Sequence, residues 1–167
     1  TVVDTGLYSA TGLRVAQVEN YIEEDTFIVT NGDCLSDIDL KAMFAYHERQ
    51  GKKATMAVAK PTGRNEALQI AEDGLVIRKE NKIQESQAWT NAGLYFLNRK
   101  VFNVLHGNYS LEDILTDNLT DDGQLITYRH NGFWTPVETY RDRVNMENLW
   151  NAGVAPWVFS LSGIVNA

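Results

Sequence analysis

The sequence of 167 residues contains a single cysteine, Cys34, and only three prolines. One cysteine can form neither an intrachain disulfide nor a cysteine-rich zinc site, which argues against a small disulfide-stabilised secreted domain and fits a reducing compartment. No apolar run approaches the ~20 residues that a membrane-spanning helix needs, and no secretory signal pattern opens the chain. We therefore expect a cytoplasmic protein with no membrane partner.

Positive charge is also scarce, since 15 Lys and Arg stand against 22 Asp and Glu and leave a net charge of −7. A nucleic-acid binder needs clustered basic residues to neutralise the phosphate backbone, so we expect no nucleic-acid partner. The G-x-S-x-G, P-loop and dinucleotide motifs are absent. His47, His106 and His130 do not have the spacing of a metal site.

Apolar residues make up 44% of the sequence, which suits one packed domain over residues 1–167, with residues 151–167 as a C-terminal tail. Short β-rich runs alternate with segments of helical periodicity, and this alternation predicts a three-layer α/β domain with a mixed, mostly parallel sheet. The predicted strands are 26–30, 53–59, 91–97 and 124–129, with a hairpin from 67–70 and 75–78. The predicted helices are 13–23, one that begins after Ser36 and ends at Gly51, a short one at 101–105, 111–120 and 139–151.

The segment from residue 26 to residue 59 gives the most specific expectations about the fold. Its apolar first run predicts a buried strand, and the strand–helix–strand order predicts two parallel strands joined by a right-handed crossover. Ser36 with Asp39 predicts a capping box at the start of the intervening helix. Ser110 with Asp113 predicts a second capping box further along the chain.

Three polar positions at predicted strand ends are candidates for chemistry. Asp33 follows Gly32 directly after a predicted strand, where α/β sheets bind ligands, although an Asp in Asn-Gly-Asp can equally form a turn. Arg64 lies in a polar loop that could bind an anion or be a solvated turn. Glu138 follows the segment Trp134-Thr-Pro-Val, whose apolar character would bring the Glu138 carboxylate to a strand end. Spacing alone does not show whether Glu138 lies near Asp33.

Six stretches, in the same order, resemble the glucose-1-phosphate cytidylyltransferase family of the sugar-phosphate nucleotidylyltransferase superfamily. They are VDTG (3–6), TGLR (11–14), TNGDCLSDID (30–39), PTGRNEAL (61–68), TNAG (90–93) and GFWTPVETYRD (132–142). The resemblance is colinear from residue 2 to about residue 157. It implies the Rossmann-like nucleotide-diphospho-sugar transferase fold, of which this chain would be the C-terminal portion.

The resemblance also implies a reaction, in which CTP and glucose 1-phosphate give CDP-glucose and pyrophosphate with Mg²⁺ as cofactor. By the same resemblance, Asp33 and Glu138 would ligate the metal, and Asp33 and Lys82 would be catalytic. The residues implied to bind the nucleotide are Arg14 and Gly32, and those implied to bind the sugar phosphate are Arg64, Lys82 and Asn91. The family also implies a homo-oligomer.

This sequence departs from the family pattern at several positions. It has Cys34 in place of Gly, Asn81 in place of Glu, Ile83 in place of Pro, Glu138 in place of Asp, Asn65 and Glu66 in place of Phe-Gly, and Ala92 in place of Gly. The family's glycine-rich G-G-x-G-T-R loop, which cradles the triphosphate, has no counterpart here, so we expect the chain to be inactive without that part. The same departures leave open an alternative, a degenerate non-catalytic module that binds a sugar nucleotide or serves in assembly.

Overall fold

The computed structural model of the chain describes residues 1–60, 69–77 and 89–158. Its helices are α1 (Thr11–Gln17), α2 (Leu40–Gln50), α3 (Leu111–Leu119) and α4 (Tyr140–Asn151), with 3₁₀ turns at Glu19–Tyr21 and Arg99–Asn103. Its strands are β1 (Thr26–Thr30), β2 (Cys34–Ser36), β3 (Ala54–Ala59), β4 (Gln69–Ile70), β5 (Val76–Ile77), β6 (Thr90–Asn98), β7 (Leu125–Arg129) and β8 (Trp134–Pro136). None of the helices in these ranges has the length and apolar content needed to cross a membrane.

The main sheet of the described residues has the order β1-β6-β3-β7. Strands β1, β3 and β7 run in one direction, while β6 runs antiparallel to both of its neighbours. The predicted mixed sheet is therefore confirmed. The predicted parallel relation of β1 and β3 is correct in direction, but the two strands share no hydrogen bonds because β6 lies between them.

Side-chain alternation along β3 creates the layers of the domain. Ala54, Met56 and Val58 pack on one face with residues of α1 and α3, whereas Ala57 and Ala59 pack on the other face with residues of the α2 side. All six residues of β3 are buried, as expected for a central strand that is covered on both faces. The predicted three-layer α/β arrangement is thus confirmed.

The expectation that residues 26–30 form a buried strand is wrong in one respect. The strand exists as β1, but it lies at the end of the sheet order, and the side chain of Ile28 is 47% exposed. Phe27 and Val29 alone of its apolar residues pack against the core. An apolar run predicts a strand but not its place in the sheet, which depends on pairing with residues far along the chain.

The capping predictions had different outcomes. The box at Ser36 and Asp39 is wrong, because Ser36 pairs with Trp134 across β2 and β8. Asp39 is itself the N-cap of α2 and accepts the Ala42 N–H at 3.0 Å. The box at Ser110 and Asp113 is confirmed in its first half, because the Ser110 Oγ accepts the Asp113 backbone N–H at 3.0 Å, whereas the Asp113 carboxylate accepts the Ser110 hydroxyl at 2.6 Å. The hairpin prediction is confirmed by the antiparallel pair β4–β5.

Candidate functional site

The short antiparallel pair β2–β8 brings Asp33 and Glu138 together. Cys34 lies opposite Pro136 in this pair. Asp33 directly precedes β2, and Val137 and Glu138 directly follow β8, so these residues lie at the same end of the pair. The Val137 N–H donates to the Asp33 carbonyl at 2.7 Å. Both carboxylates are exposed. Two acids that are far apart in the sequence therefore sit at the same end of one small sheet.

The Cys34 thiol lies close enough to both carboxylates for their charges to affect its pKa. Burial, the neighbouring Asp33 carboxylate and the Glu138 carboxylate raise the pKa of Cys34 to about 12. Its Sγ–H donates to Asp33 Oδ1 at 3.6 Å. A carboxylate raises the pKa of a thiol only when it is close enough to oppose the thiolate charge. Asp33 and Glu138 therefore both lie close enough to Cys34 for their negative charges to oppose formation of the thiolate.

This pair has the composition of a site for Mg²⁺ that is completed by substrate. Mg²⁺ is bound in many enzymes by one or two carboxylates, with waters and substrate phosphates filling its other positions. Within the described residues there is no group of three or more His, Cys, Asp or Glu side chains that would enclose an ion by protein ligands alone. The donor set of Asp33 and Glu138 fits an ion shared with a phosphorylated ligand.

The start of β6 is tied to the loop that carries Asp33. The Asn31 N–H donates to the Gly93 carbonyl at 2.8 Å, and the Trp134 Nε1–H donates to the Ala92 carbonyl at 3.0 Å. Gly93 has φ +74°, and a Cβ there would lie 2.9 Å from the Asn31 side-chain nitrogen. A Cβ on Gly32, by contrast, would meet no heavy atom within 4 Å. The backbone at Gly32 therefore borders open space beside the carboxylates.

Asn91 lies at this end of β6 and makes three internal hydrogen bonds. Its Nδ2 donates to Glu112 Oε2 at 2.8 Å and to the Tyr95 hydroxyl, and its Oδ1 accepts the Gly93 N–H at 2.9 Å. Tyr95 is buried, and that burial raises its pKa, while the hydrogen bond from Asn91 opposes the rise. The side chains of Asn91, Tyr95 and Glu112 thus form one network, which we call the Asn91 network.

Sequence reasoning missed Tyr95 and Glu112. The signal for Tyr95 was a hydroxyl at a predicted core position of a strand, because a buried phenol needs a hydrogen-bond partner. Nothing in the sequence pattern identified that partner. Glu112 looked like an ordinary acidic residue in the first turn of a helix, where the helix dipole favours it.

The other predicted site residues lie apart from this group or outside the described ranges. Arg14 is in the last turn of α1, where its guanidinium donates to Thr5 Oγ1 at 2.6 Å and to the Leu7 carbonyl at 3.4 Å. Neither of these hydrogen bonds joins it to the carboxylate pair or to the Asn91 network. Arg64 and Lys82 lie outside the described residues.

Comparison with known proteins identifies the family. The nucleotidyl transferase family matches residues 9–150 of the chain. The chain belongs to this family. It is 38% identical over 161 residues to the glucose-1-phosphate cytidylyltransferase of Salmonella typhi, a match that covers 94% of this chain and 62% of that relative. The chain thus spans less than two thirds of the length of this relative.

Solved structures agree with the fold of a nucleotidyl transferase. A Bacillus anthracis protein, described as a glucose-1-phosphate thymidylyltransferase and solved with sucrose, matches with a TM-score of 0.72 at 17% identity, over 93% of this chain and 65% of its own. HddC from Yersinia pseudotuberculosis matches with a TM-score of 0.70 at 20% identity, over 86% of this chain and 63% of its own. At these identities the likeness shows the shared fold alone.

Proposed function

We propose that this nucleotidyl transferase takes part in joining a nucleotide to a sugar 1-phosphate, with CTP and glucose 1-phosphate giving CDP-glucose and pyrophosphate. The observation that carries the proposal is the convergence of Asp33 and Glu138 at the end of β2–β8. The choice of CTP and glucose 1-phosphate is supported by the Salmonella typhi relative, which is named for that sugar and nucleotide. The non-catalytic alternative is not favoured, because the relatives carry the names of enzymes.

The carboxylate pair would hold Mg²⁺ in this reaction. When bound, the ion supplies neutralisation of the negative charge on the phosphates. Asp33 and Glu138 are exposed, so each can reach an ion from the solvent side, and the Oδ1 of Asp33 also accepts the weak hydrogen bond from the Cys34 thiol. The open space beside Gly32 leaves room for a nucleotide to approach the backbone there. The chain's task at this point is to position charged groups.

The remaining residues of the proposal bind and orient the two substrates. A direct displacement, in which a sugar-phosphate oxygen attacks the α-phosphorus and pyrophosphate leaves, needs positioning and electrostatic stabilisation but no protein nucleophile. Lys82 and Arg64 would supply cations for the sugar phosphate, and Arg14 a cation for the nucleotide. Asn91 would hydrogen-bond a hydroxyl of the sugar. A homo-oligomeric state stays a prediction.

The test is pyrophosphate release by the complete product of the gene with Mg²⁺, CTP and glucose 1-phosphate, together with chromatographic detection of CDP-glucose. We expect Asp33→Asn to lower kcat by at least about 100-fold, because the ion that Asp33 would hold contributes several kcal/mol of charge stabilisation on the phosphates. A matched control is Glu147→Gln, which removes an exposed carboxylate on α4 that pairs with Arg143. Unchanged pyrophosphate release in Asp33→Asn, or equal losses in both variants, would contradict the proposal.

A further inference from the structure

The side-chain amide of Asn91 has no free donor. Its two N–H groups go to Glu112 and to the Tyr95 hydroxyl, and its Oδ1 already accepts one hydrogen bond from the Gly93 backbone. An amide oxygen has two lone pairs, so one acceptor position is left. Toward a ligand, Asn91 can therefore only accept a hydrogen bond.

Two hydrogen-bond partners, one at the nitrogen and one at the oxygen, determine the orientation of this amide. An ionised Glu112 can only accept, which requires the nitrogen of Asn91 to face it, and the Gly93 N–H can only donate, which requires the oxygen to face that backbone. Rotating the amide by 180° would set nitrogen against N–H and oxygen against carboxylate. Both hydrogen bonds would be lost together.

Glu112 lies in the first turn of α3, and hydrogen bonds to α1 hold this end of the helix in place. The backbone N–H of Leu111 donates to Thr11 Oγ1 at 2.9 Å, and the Gly12 N–H donates to the Tyr109 carbonyl at 3.1 Å. A Cβ on Gly12 would lie 2.5 Å from the Ile114 Cδ1, so α1 and α3 are packed as closely as a glycine allows. The helix end that carries the Glu112 carboxylate is therefore held firmly against α1.

Helix capping does not account for the contact between Glu112 and Asn91. The N-terminus of α3 is already capped by Ser110, and Asp113 supplies a second acidic side chain in the first turn. Glu112 instead reaches β6, 21 residues earlier in the chain, where its half-buried carboxylate accepts a hydrogen bond of 2.8 Å. A hydrogen bond to a charged group is stronger than one between neutral groups.

We infer that Glu112 is a positioning residue, which fixes the Asn91 amide so that it presents only an acceptor oxygen to a hydroxyl group of the sugar substrate. The inference rests on the proposed function for the identity of the ligand. The fixed amide favours a hydroxyl, which can donate, over a phosphate oxygen, which can only accept. Glu112 itself touches no substrate; it acts through Asn91.

The first test concerns the amide alone and needs no activity. In ¹⁵N NMR spectra of the protein, the Asn91 side-chain protons should exchange slowly with water. Glu112→Met keeps the length of the side chain but removes the acceptor, and one Asn91 proton should then exchange roughly 10- to 100-fold faster, the range for a lost hydrogen bond to a charged group. Glu147→Met is the matched control, because it removes a carboxylate with a hydrogen bond of the same 2.8 Å length on α4.

The second test separates positioning from mere stability. In the complete gene product, Glu112→Met should raise KM for glucose 1-phosphate roughly 3- to 10-fold, the range for losing one fixed neutral hydrogen bond, with KM for CTP unchanged. Glu112→Gln should lie between wild type and Glu112→Met, because its side-chain oxygen can still accept but no longer enforces one orientation.

An exchange of the two groups supplies a rescue. Asn91→Asp alone sets two carboxylates against each other and should lower thermal stability as well as raise KM for glucose 1-phosphate. The double variant Asn91→Asp with Glu112→Gln restores a donor facing an acceptor, and it should recover both properties toward wild type.

The outcomes distinguish the two proposals. Unaltered Asn91 proton exchange in Glu112→Met overturns the positioning role, whatever the protein catalyses. A loss of stability with equal changes in both KM values overturns it too, since that pattern marks a structural role. If exchange responds to Glu112→Met while the wild-type protein neither binds glucose 1-phosphate nor releases pyrophosphate, the assignment to a sugar hydroxyl is overturned together with the proposed function.

Discussion

Val137 donates its backbone N–H to the carbonyl of Asp33 at 2.7 Å, and this hydrogen bond holds the residue before Glu138 against the backbone of Asp33. The contact continues the antiparallel pair β2–β8 by one residue on each side. Because backbone pairing brings Asp33 and Glu138 to the same end of β2–β8, their relative position depends on the strand register and not on a flexible loop.

Gly32→Ala tests whether ligand approaches the backbone next to Asp33. The added methyl group would meet no protein atom within 4 Å, and Gly32 has no positive φ, so we expect an unchanged melting temperature. If the nucleotide occupies that space, KM for CTP should rise while KM for glucose 1-phosphate changes less. Thermal denaturation and steady-state kinetics on the same preparation check both expectations. An unchanged KM for CTP would remove Gly32 from the nucleotide site.

Gly93→Ala tests the close approach between β6 and the Asp33 loop. The left-handed backbone at Gly93 costs an L-residue about 1–2 kcal/mol, and the new Cβ would also press on the Asn31 side chain at 2.9 Å. Gly153→Ala is the matched control, since Gly153 has a similar φ of +70° but open space around it. Urea unfolding should show a larger loss of unfolding free energy for Gly93→Ala than for Gly153→Ala. Equal losses would mean that the contact with Asn31 adds no cost.

His47 predicts a pH dependence of stability. The residue is 2% exposed, its Nδ1 lies 2.8 Å from Thr55 Oγ1, and burial lowers its pKa, with Glu48 acting in the opposite direction. The unfolded chain therefore takes up a proton near the ordinary pKa of 6.5, before the folded protein does. The contribution of His47 to stability is complete above pH 6.5 and falls as the pH decreases below that value.

Unfolding free energies measured in urea across this pH range check the assignment. His47→Asn, which cannot be protonated there, should show a weaker decline toward acidic pH than wild type. His106→Asn is the control, because His106 is exposed and its replacement should leave the decline unchanged. The same decline in wild type and His47→Asn would show that His47 is not responsible.

Much of the fold could be predicted from local patterns. Strand β3, helix α3 with its Ser110 cap and the β4–β5 hairpin follow from periodicity and turn residues that act over a few positions. The placement of Asp33 at a strand end followed from the same reasoning. Strands β2 and β8 were missed, because three residues show no periodicity and pair only when distant segments meet.

The features that local sequence patterns do not predict all depend on contacts between residues far apart in the chain. The insertion of β6 between β1 and β3 left β1 at the sheet edge, which an apolar run cannot reveal. The meeting of Asp33 with Glu138 was expected from family resemblance but not from spacing. Glu112 was overlooked because its contact with Asn91 joins a helix to a strand 21 residues away. Local propensity carries no information about such contacts.

The most direct test of the central claim is Mn²⁺ binding, measured by electron paramagnetic resonance in the presence of CTP. If Asp33 and Glu138 hold one ion, Asp33→Asn and Glu138→Gln should each weaken binding by about tenfold or more, while Glu147→Gln should not. The double variant should lose less than the product of the two single losses, because both side chains serve the same ion. Wild-type affinity in either single variant, or losses that multiply fully in the double variant, would contradict a shared metal site at the end of β2–β8.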